Sequence, residues 1–297
     1  MQSRSALYPF LVTLVAVGLL SLMDSFMKAA SVAVGAFSAM VVRSLLSSGL
    51  VVPLWLWKGT GWPKKHALRL HLIRGMASVF MALTFFSALV YLPLAEAIAL
   101  AFISPLIALG LAAVILKEKI AGKAIGAAML GVVGVVIIVG GRIGNQTMSD
   151  EAAFGVALVL FSALLYAWNL ILQRQQALVA KPLEIVTFQN VIVALVLLLG
   201  TPFFFQMPQG SAWIDIVMAT LLALIALAMM AWAYARAEAQ VLVPVEYTGF
   251  AWAALFGWIF FGEEVRLTTV AGAALIIVGC WIAAPRKHTE QVATGAG

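Results

Sequence analysis

The feature that most constrains this chain is a succession of apolar runs, each close to a membrane thickness in length, joined by short polar connections. A helix rises 1.5 Å per residue and needs roughly 20 apolar residues to cross a hydrocarbon core about 30 Å thick. Ten runs meet that length, near 8–28, 35–57, 72–91, 94–116, 122–141, 153–173, 183–205, 212–235, 239–262 and 268–285. With 64% hydrophobic and 10% charged residues and a mean hydropathy of +1.08, the chain cannot cover itself with polar surface in water. The expectation is an all-α integral membrane protein with ten transmembrane helices, and its connections are too short to form a separate soluble domain.

Charge sets the expected orientation. The net charge is +6, yet the basic residues form no stripe suited to nucleic acid; they gather between apolar runs. With the N-terminus inside, the cytoplasmic segments hold thirteen: Arg4, Lys58, Lys64, Lys65, Arg69, Lys117, Lys119, Lys123, Arg174, Lys181, Arg236, Arg286 and Lys287. The opposite side holds three, Lys28, Arg142 and Arg266. That bias puts both termini in the cytoplasm of a bacterial-type inner membrane. The first apolar run is as long as the later ones, so it reads as a retained helix and not a cleaved signal. Cys280, the single cysteine, excludes an intrachain disulfide and a cysteine-based metal site.

The two halves of the chain resemble each other. LKEKIAGKAIGAAML (116–130) aligns without gaps on GEEVRLTTVAGAALI (262–276), matching Glu118 to Glu264 and Gly126 to Gly272. At a similar offset LLSLMDSFMKA falls on LLYAWNLILQR, pairing Asp24 with Asn169 and Lys28 with Gln173. Five spans per copy is an odd number, so the second copy enters the membrane upside down. Inverted repeats with a site near the midplane are a transporter pattern. The expected units are two five-helix repeats, 1–145 and 146–297, acting as one transport unit.

In the order and spacing of its motifs the chain resembles the drug/metabolite transporter superfamily, EamA type. Each half has a penultimate helix ending in an acid (ILKEKI, FFGEEV), followed by a small-residue final helix. DSFMK in helix 1, Arg43 in helix 2, IRG at 73–75, then LPLAEA, ISPL and VPVEYTGFAWAALFGWIFFGEE resemble the branch containing S-adenosylmethionine and riboflavin transporters. One departure is Ala251, where the first copy has Pro105, although Pro244 lies seven residues earlier. The resemblance implies a carrier of an organic solute and leaves that solute open.

Ionisable groups inside a span cost roughly 2.5–3.5 kcal/mol each on insertion scales and face protein or a water-filled cavity. Asp24 and Lys28 stand at i and i+4 and can pair on one helix face. Either Lys28 snorkels to the outer interface with Asp24 neutralising it, or Asp24 lines a cavity and Lys28 holds it ionised. Arg43, deep in helix 2, needs an acid such as Asp24 or Glu96. Arg74 is either an inner anchor or the partner of Glu246, which follows Pro244 in a helix expected to bend. Trp168 beside Asn169, and Tyr247 beside Glu246, put rings next to hydrogen-bonding groups, which suits an amphipathic solute. The candidate substrate-binding set is therefore Asp24, Lys28, Arg43, Arg74, Trp168, Asn169, Glu246 and Tyr247.

Other residues read as scaffold. Trp55, Trp57, Trp62 and Trp213 sit at span ends as interfacial anchors. Glycines in helices 5 (Gly122, Gly126, Gly131, Gly134) and 10 (Gly272, Gly279) allow close packing, within the subunit or in a homodimer. His66, His71 and His288 lie in or beside polar connections without acids at metal-ligand spacing, and no P-loop lysine motif occurs. Catalytic residues, metals and cofactors are not expected. The expected function is alternating-access transport of a small polar or amphipathic metabolite (amino-acid-like, S-adenosylmethionine-like or riboflavin-like). Proton coupling would fall to Glu246; an intramembrane enzyme or a channel subunit is the alternative.

Overall fold

The computed structural model describes residues 2–58, 61–116, 122–143, 149–237, 242 and 245–283. All regular structure among the described residues is helical. The elements are α1 (Gln2–Trp57), α2 (Lys65–Tyr91), α3 (Leu94–Ala101), α4 (Ser104–Leu116), α5 (Gly122–Ile143), α6 (Asp150–Ala177), α7 (Pro182–Phe204), α8 (Ser211–Tyr234), α9 (Gly249–Phe261) and α10 (Leu267–Ala283). Among the described residues, five helices are long and apolar enough to cross a membrane; α9, α10 and the stretches Leu94–Ala108 and Ala128–Gly141 are shorter apolar helices.

Helix α1 contains two of the sequence-predicted spans. It bends at Gly35, whose φ of 78° and ψ of 146° lie outside helical space. Only glycine enters that region at little cost, so the reversal is written into this residue. Beyond it the chain runs back beside α7: Phe37 meets Phe204 at one end, and Trp55 meets Phe188 at the other. Trp55 is thus buried against Phe188 and Trp62, which corrects the expectation of an interfacial anchor.

The predicted span 94–116 is interrupted at Phe102–Ile103. Pro105 has no N–H to offer the carbonyl four residues back and crowds it. That carbonyl, on Ala101, instead accepts from Ser104 Oγ at 2.6 Å, and Phe102 O accepts from Cys280 Sγ at 3.4 Å. The span read as 239–262 is also broken. Val245 and Glu246 are helical, a turn follows at Tyr247–Thr248, and α9 begins at Gly249. Here Thr248 Oγ1 donates to Val245 O at 2.6 Å, and Ser21 Oγ to Gly249 O at 3.3 Å. Pro244, expected to bend this helix, and Glu118, aligned with Glu264, lie outside the described residues.

The helices pack polar side inward, as lipid requires. On α1 the buried Ser21, Ser25, Lys28 and Ser31 recur at i, i+4, i+7 and i+10, while Leu11, Val15 and Val32 face outward. Helix α1 packs mainly on α8, α2 on α6, and α5 on α10. The last contact uses the glycines directly. A Cβ on Gly134 would lie 2.6 Å from Gly272 O, and one on Gly272 2.5 Å from Gly134 O. These small residues therefore bring two helices of the same chain together.

Candidate functional site

Four polar groupings occupy the bundle. The first, a clasp, closes the end where α2 passes into α3. Lys28 Nζ donates to Leu92 O at 2.7 Å and forms an ion pair with Glu263, whose other oxygen accepts from the Leu94 N–H at 2.7 Å. The ammonium also lies 5.1 Å from the Phe261 ring centre. Gly262, with φ 63°, ends α9 in the left-handed conformation and turns Glu263 back over Gly257. Lys28 is 6% exposed and bound to a residue 235 positions away, so it neither snorkels nor pairs with Asp24. The acid used is Glu263; its neighbour Glu264, which the repeat alignment singled out, faces outward.

The second grouping is a ladder between α2, α6 and α7. Arg74 Nε donates to Asn169 Oδ1 at 3.1 Å, Nη1 to Gln176 Oε1 at 2.6 Å and Nη2 to Gln173 Oε1 at 3.3 Å. Asn169 Nδ2 donates onward to Ser78 Oγ at 2.6 Å. Gln176 Nε2 contacts His71 Nδ1, and His71 Nε2 contacts Glu184 Oε1 at 3.0 Å. Donor logic fixes the whole chain. Arginine has only donors, so Gln176 must turn its oxygen to Arg74 and its NH2 to the imidazole. His71 Nδ1 is then an acceptor, and the ring is neutral with its proton on Nε2, directed at Glu184. Phe188 stacks on that ring at 5.0 Å. His71 is fully buried, so it does not belong to a polar connection.

The third grouping surrounds Glu246, which accepts from Tyr234 Oη and senses the charge of neither lysine nor arginine at bonding distance among the described residues. The Arg74–Glu246 bridge, one of the two readings of Arg74, is not formed: the amides of α6 hold the guanidinium. Tyr166 sits within electrostatic reach of both Arg74 and Glu246. Tyr247 lies edge-on to Phe102 at 5.4 Å and against Cys280, so the two helix breaks touch.

The fourth grouping is Asp24 with Arg43, one on each side of the Gly35 reversal. Each is the charged group the other senses, yet their charged atoms stay more than 4.0 Å apart. Arg43 lies 5.7 Å from the Phe86 ring centre, and its Nε is buried without an acceptor. Asp24 and Arg43 are half-buried, and Tyr166 is 42% exposed.

Trp168 takes part in none of these groupings. Adjacent helical residues point about 100° apart, and Trp168 joins Phe161 and Leu164 on the exposed flank of α6, while Asn169 is buried. Sequence reasoning missed Tyr166, His71, Gln176, Glu184, Tyr234 and Glu263. A signal for part of them existed in the sequence: Tyr166, Asn169, Gln173 and Gln176 recur on one face of α6.

Charged side chains held among apolar helices of membrane-spanning length mark multipass membrane proteins that handle polar solutes. The profile of the EamA-like transporter family matches residues 7–140 and again 153–284, and the chain belongs to that family. It is 26% identical over 261 residues to a pseudopaline exporter of Pseudomonas aeruginosa (strain UCBPP-PA14), covering 88% of this chain and 90% of that protein. It is also similar to riboflavin transporters of Rhizobium johnstonii (27% identity, 70% of this chain and 67% of that one) and Vibrio cholerae (28%, 70% and 68%). A solved crystal structure superimposes with a TM-score of 0.60 at 21% identity, covering 93% of this chain and 96% of the other. The family and these relatives are transporters, not enzymes.

Proposed function

We propose that this transporter is a secondary carrier that moves a small polar or amphipathic organic metabolite across a bacterial inner membrane by alternating access. The observation that carries the reading is a pair of opposite charges held among apolar helices without closing on each other: Asp24 and Arg43 stay more than 4.0 Å apart, and Arg43 Nε is buried without an acceptor. A scaffold has no use for charged groups that are desolvated and left with unspent hydrogen bonds. Two of the relatives are named as riboflavin transporters and one as a pseudopaline exporter, which supports an organic solute.

The same reading has ten spans in two inverted repeats, 1–145 and 146–297. Straight, α1 would run roughly 80 Å, more than twice the hydrocarbon thickness, so its two arms count as separate spans. Exchanging the halves also maps the packing onto itself: α2 on α6 corresponds to α8 on α1, α4 on α6 to α9 on α1, and α5 on α10 to itself. The interruptions at 102–103 and 247–248 occupy matching places, and broken helices near the midplane are a known way to build solute sites. Both termini are cytoplasmic in this reading. Reporter fusions at Gly297 and Pro208 should report inside and outside; both on one side would sink the ten-span map.

Glu246, held by Tyr234, is the proton-coupling residue of this proposal. Glu246→Gln should abolish gradient-driven accumulation in proteoliposomes while counterflow and folded yield persist. Normal accumulation at normal yield would remove Glu246 from the mechanism. A homodimer through the open Gly126 and Gly140 side of α5 is the remaining element, read out by the mass of the detergent-solubilised protein.

A further inference from the structure

The first turns of α1 and the last turns of α8 leave a groove on the outer surface of the bundle, away from the four polar groupings. Tyr8, Val12, Ala228, Met229 and Trp232 line it, around a space of about 380 Å³, and none of them carries a charge. Leu11, Val15 and Ile225 on the same helices are exposed, so this surface faces hydrocarbon. One end of the groove is different. From Ala228 to Arg236, just past the end of α8, the chain rises about 12 Å. The Arg236 guanidinium lies 4.2 Å from the Trp232 ring centre, and its Nη1 donates to Trp232 O at 3.1 Å. Tyr8 meets the same indole edge-on at 5.3 Å. One tryptophan thus forms a wall of the groove and holds a cation at its rim. A basic residue that only marks the inner side of a membrane extends its head into water. Arg236 instead folds back onto the groove, and among the described residues no carboxylate pairs with it. Tryptophan and tyrosine rings settle at headgroup level, which sets Arg236 among lipid phosphates.

We propose that this groove binds an anionic phospholipid, with one acyl chain along Tyr8, Val12, Ala228 and Met229 and the headgroup phosphate on Arg236. A guanidinium has five N–H donors, and the contact with Trp232 O uses one. The others form the planar fork that matches phosphate oxygens. A headgroup that carries its own ammonium competes with Arg236 for the phosphate, so a net negative lipid is preferred. A free anion gains nothing from the apolar walls. A second copy of the chain fits poorly, because a twofold axis along the membrane normal brings two Arg236 to the same level on facing surfaces. Helix α1 packs mainly on α8, so a lipid seated across both makes that contact sensitive to the composition of the leaflet at this end. The site is separate from any solute path, and it stands whatever solute is carried.

The test uses the full-length protein in neutral detergent, titrated with phosphatidylglycerol, phosphatidylcholine of the same acyl chains, or inorganic phosphate. Native mass spectrometry counts the first bound lipid. Wild-type protein should take phosphatidylglycerol about 5–10-fold more tightly than phosphatidylcholine, the worth of one basic side chain near a headgroup. Arg236→Gln should erase that preference while leaving phosphatidylcholine binding unchanged, and Arg236→Lys should keep part of it. Ala228→Phe, which fills the groove from a lipid-facing position, should weaken both lipids and leave their ratio intact. Arg174→Gln removes an exposed charge from the last turn of α6 and should change neither. Equal binding of the two lipids by the wild type overturns the proposal without any variant. A loss with Arg174→Gln equal to that with Arg236→Gln would show a diffuse basic surface and overturn the site. Unchanged binding by Ala228→Phe overturns the groove as the seat of the chain. Inorganic phosphate that competes as well as phosphatidylglycerol makes the ligand a free anion and overturns the lipid. A dimer that persists at saturating lipid and is dispersed by Ala228→Phe puts a second copy in the groove and overturns it as well.

Discussion

The two ends of α2 solve the problem of polar groups in a bilayer in opposite ways. At Leu92 the clasp neutralises a buried ammonium with a carboxylate, drawing on α1, the α2–α3 turn and the residue after α9. Near His71, roughly 30 Å away by helical rise, the ladder surrounds a guanidinium with amide oxygens and ends on a neutral imidazole. The clasp gathers residues far apart in sequence through the Lys28–Glu263 ion pair, so its strength depends on both of these charges being present. The ladder runs through hydrogen bonds in a fixed donor direction, so its members need matching donors and acceptors more than they need charge. One kind of substitution should therefore have different effects at the two ends.

The largest effect is expected for Glu263→Gln. It leaves Lys28 buried opposite an uncharged amide, and breaking a buried pair on one side costs about 3–5 kcal/mol. Thermal unfolding in detergent measures it, and adding Lys28→Met should restore most of the loss. A single variant as stable as the parent would mean that the clasp is not closed in the folded protein. Gly257→Ala comes next. Its Cβ would lie 2.7 Å from Glu263 Oε2, so the carboxylate must swing away from the Leu94 N–H. The expected loss is about 1–3 kcal/mol, and it should not add fully to that of Glu263→Gln, because both act on the same carboxylate. The smallest effect is expected for Glu184→Gln, below about 1 kcal/mol, since glutamine still accepts from His71 Nε2–H. A loss as large as that of Glu263→Gln would show His71 to be a cation and would overturn the donor direction of the ladder.

The correct readings of the sequence rest on local rules. Apolar length, basic residues between runs and charges inside runs are properties of a segment and its solvent, so the helical membrane class followed from them. Asp24, Arg43, Arg74, Asn169 and Glu246 stood out for the same reason, as polar groups where lipid forbids them. Trp168 and Asn169 are adjacent along the chain yet lie on different faces of α6, because a helix turns neighbours about 100° apart. The break at Phe102 had a visible cause in Pro105, yet the apolar run continued through it and masked the interruption.

Partners were beyond local rules. Lys28 has Asp24 one turn away and takes Glu263 from 235 positions further along. His71 looks like a residue of a polar connection until α6 and α7 enclose it with Gln176 and Glu184. The sequence by itself determined that charged groups must be buried among helices, because the bilayer offers them no water. Which charges close on each other and which stay open was decided only by the tertiary structure. Pairing depends on distances across the bundle, and those are set by the packing of helices that no single segment encodes: the reversal at Gly35, the contact of Gly134 with Gly272, and the meeting of the two broken helices at Phe102 and Tyr247.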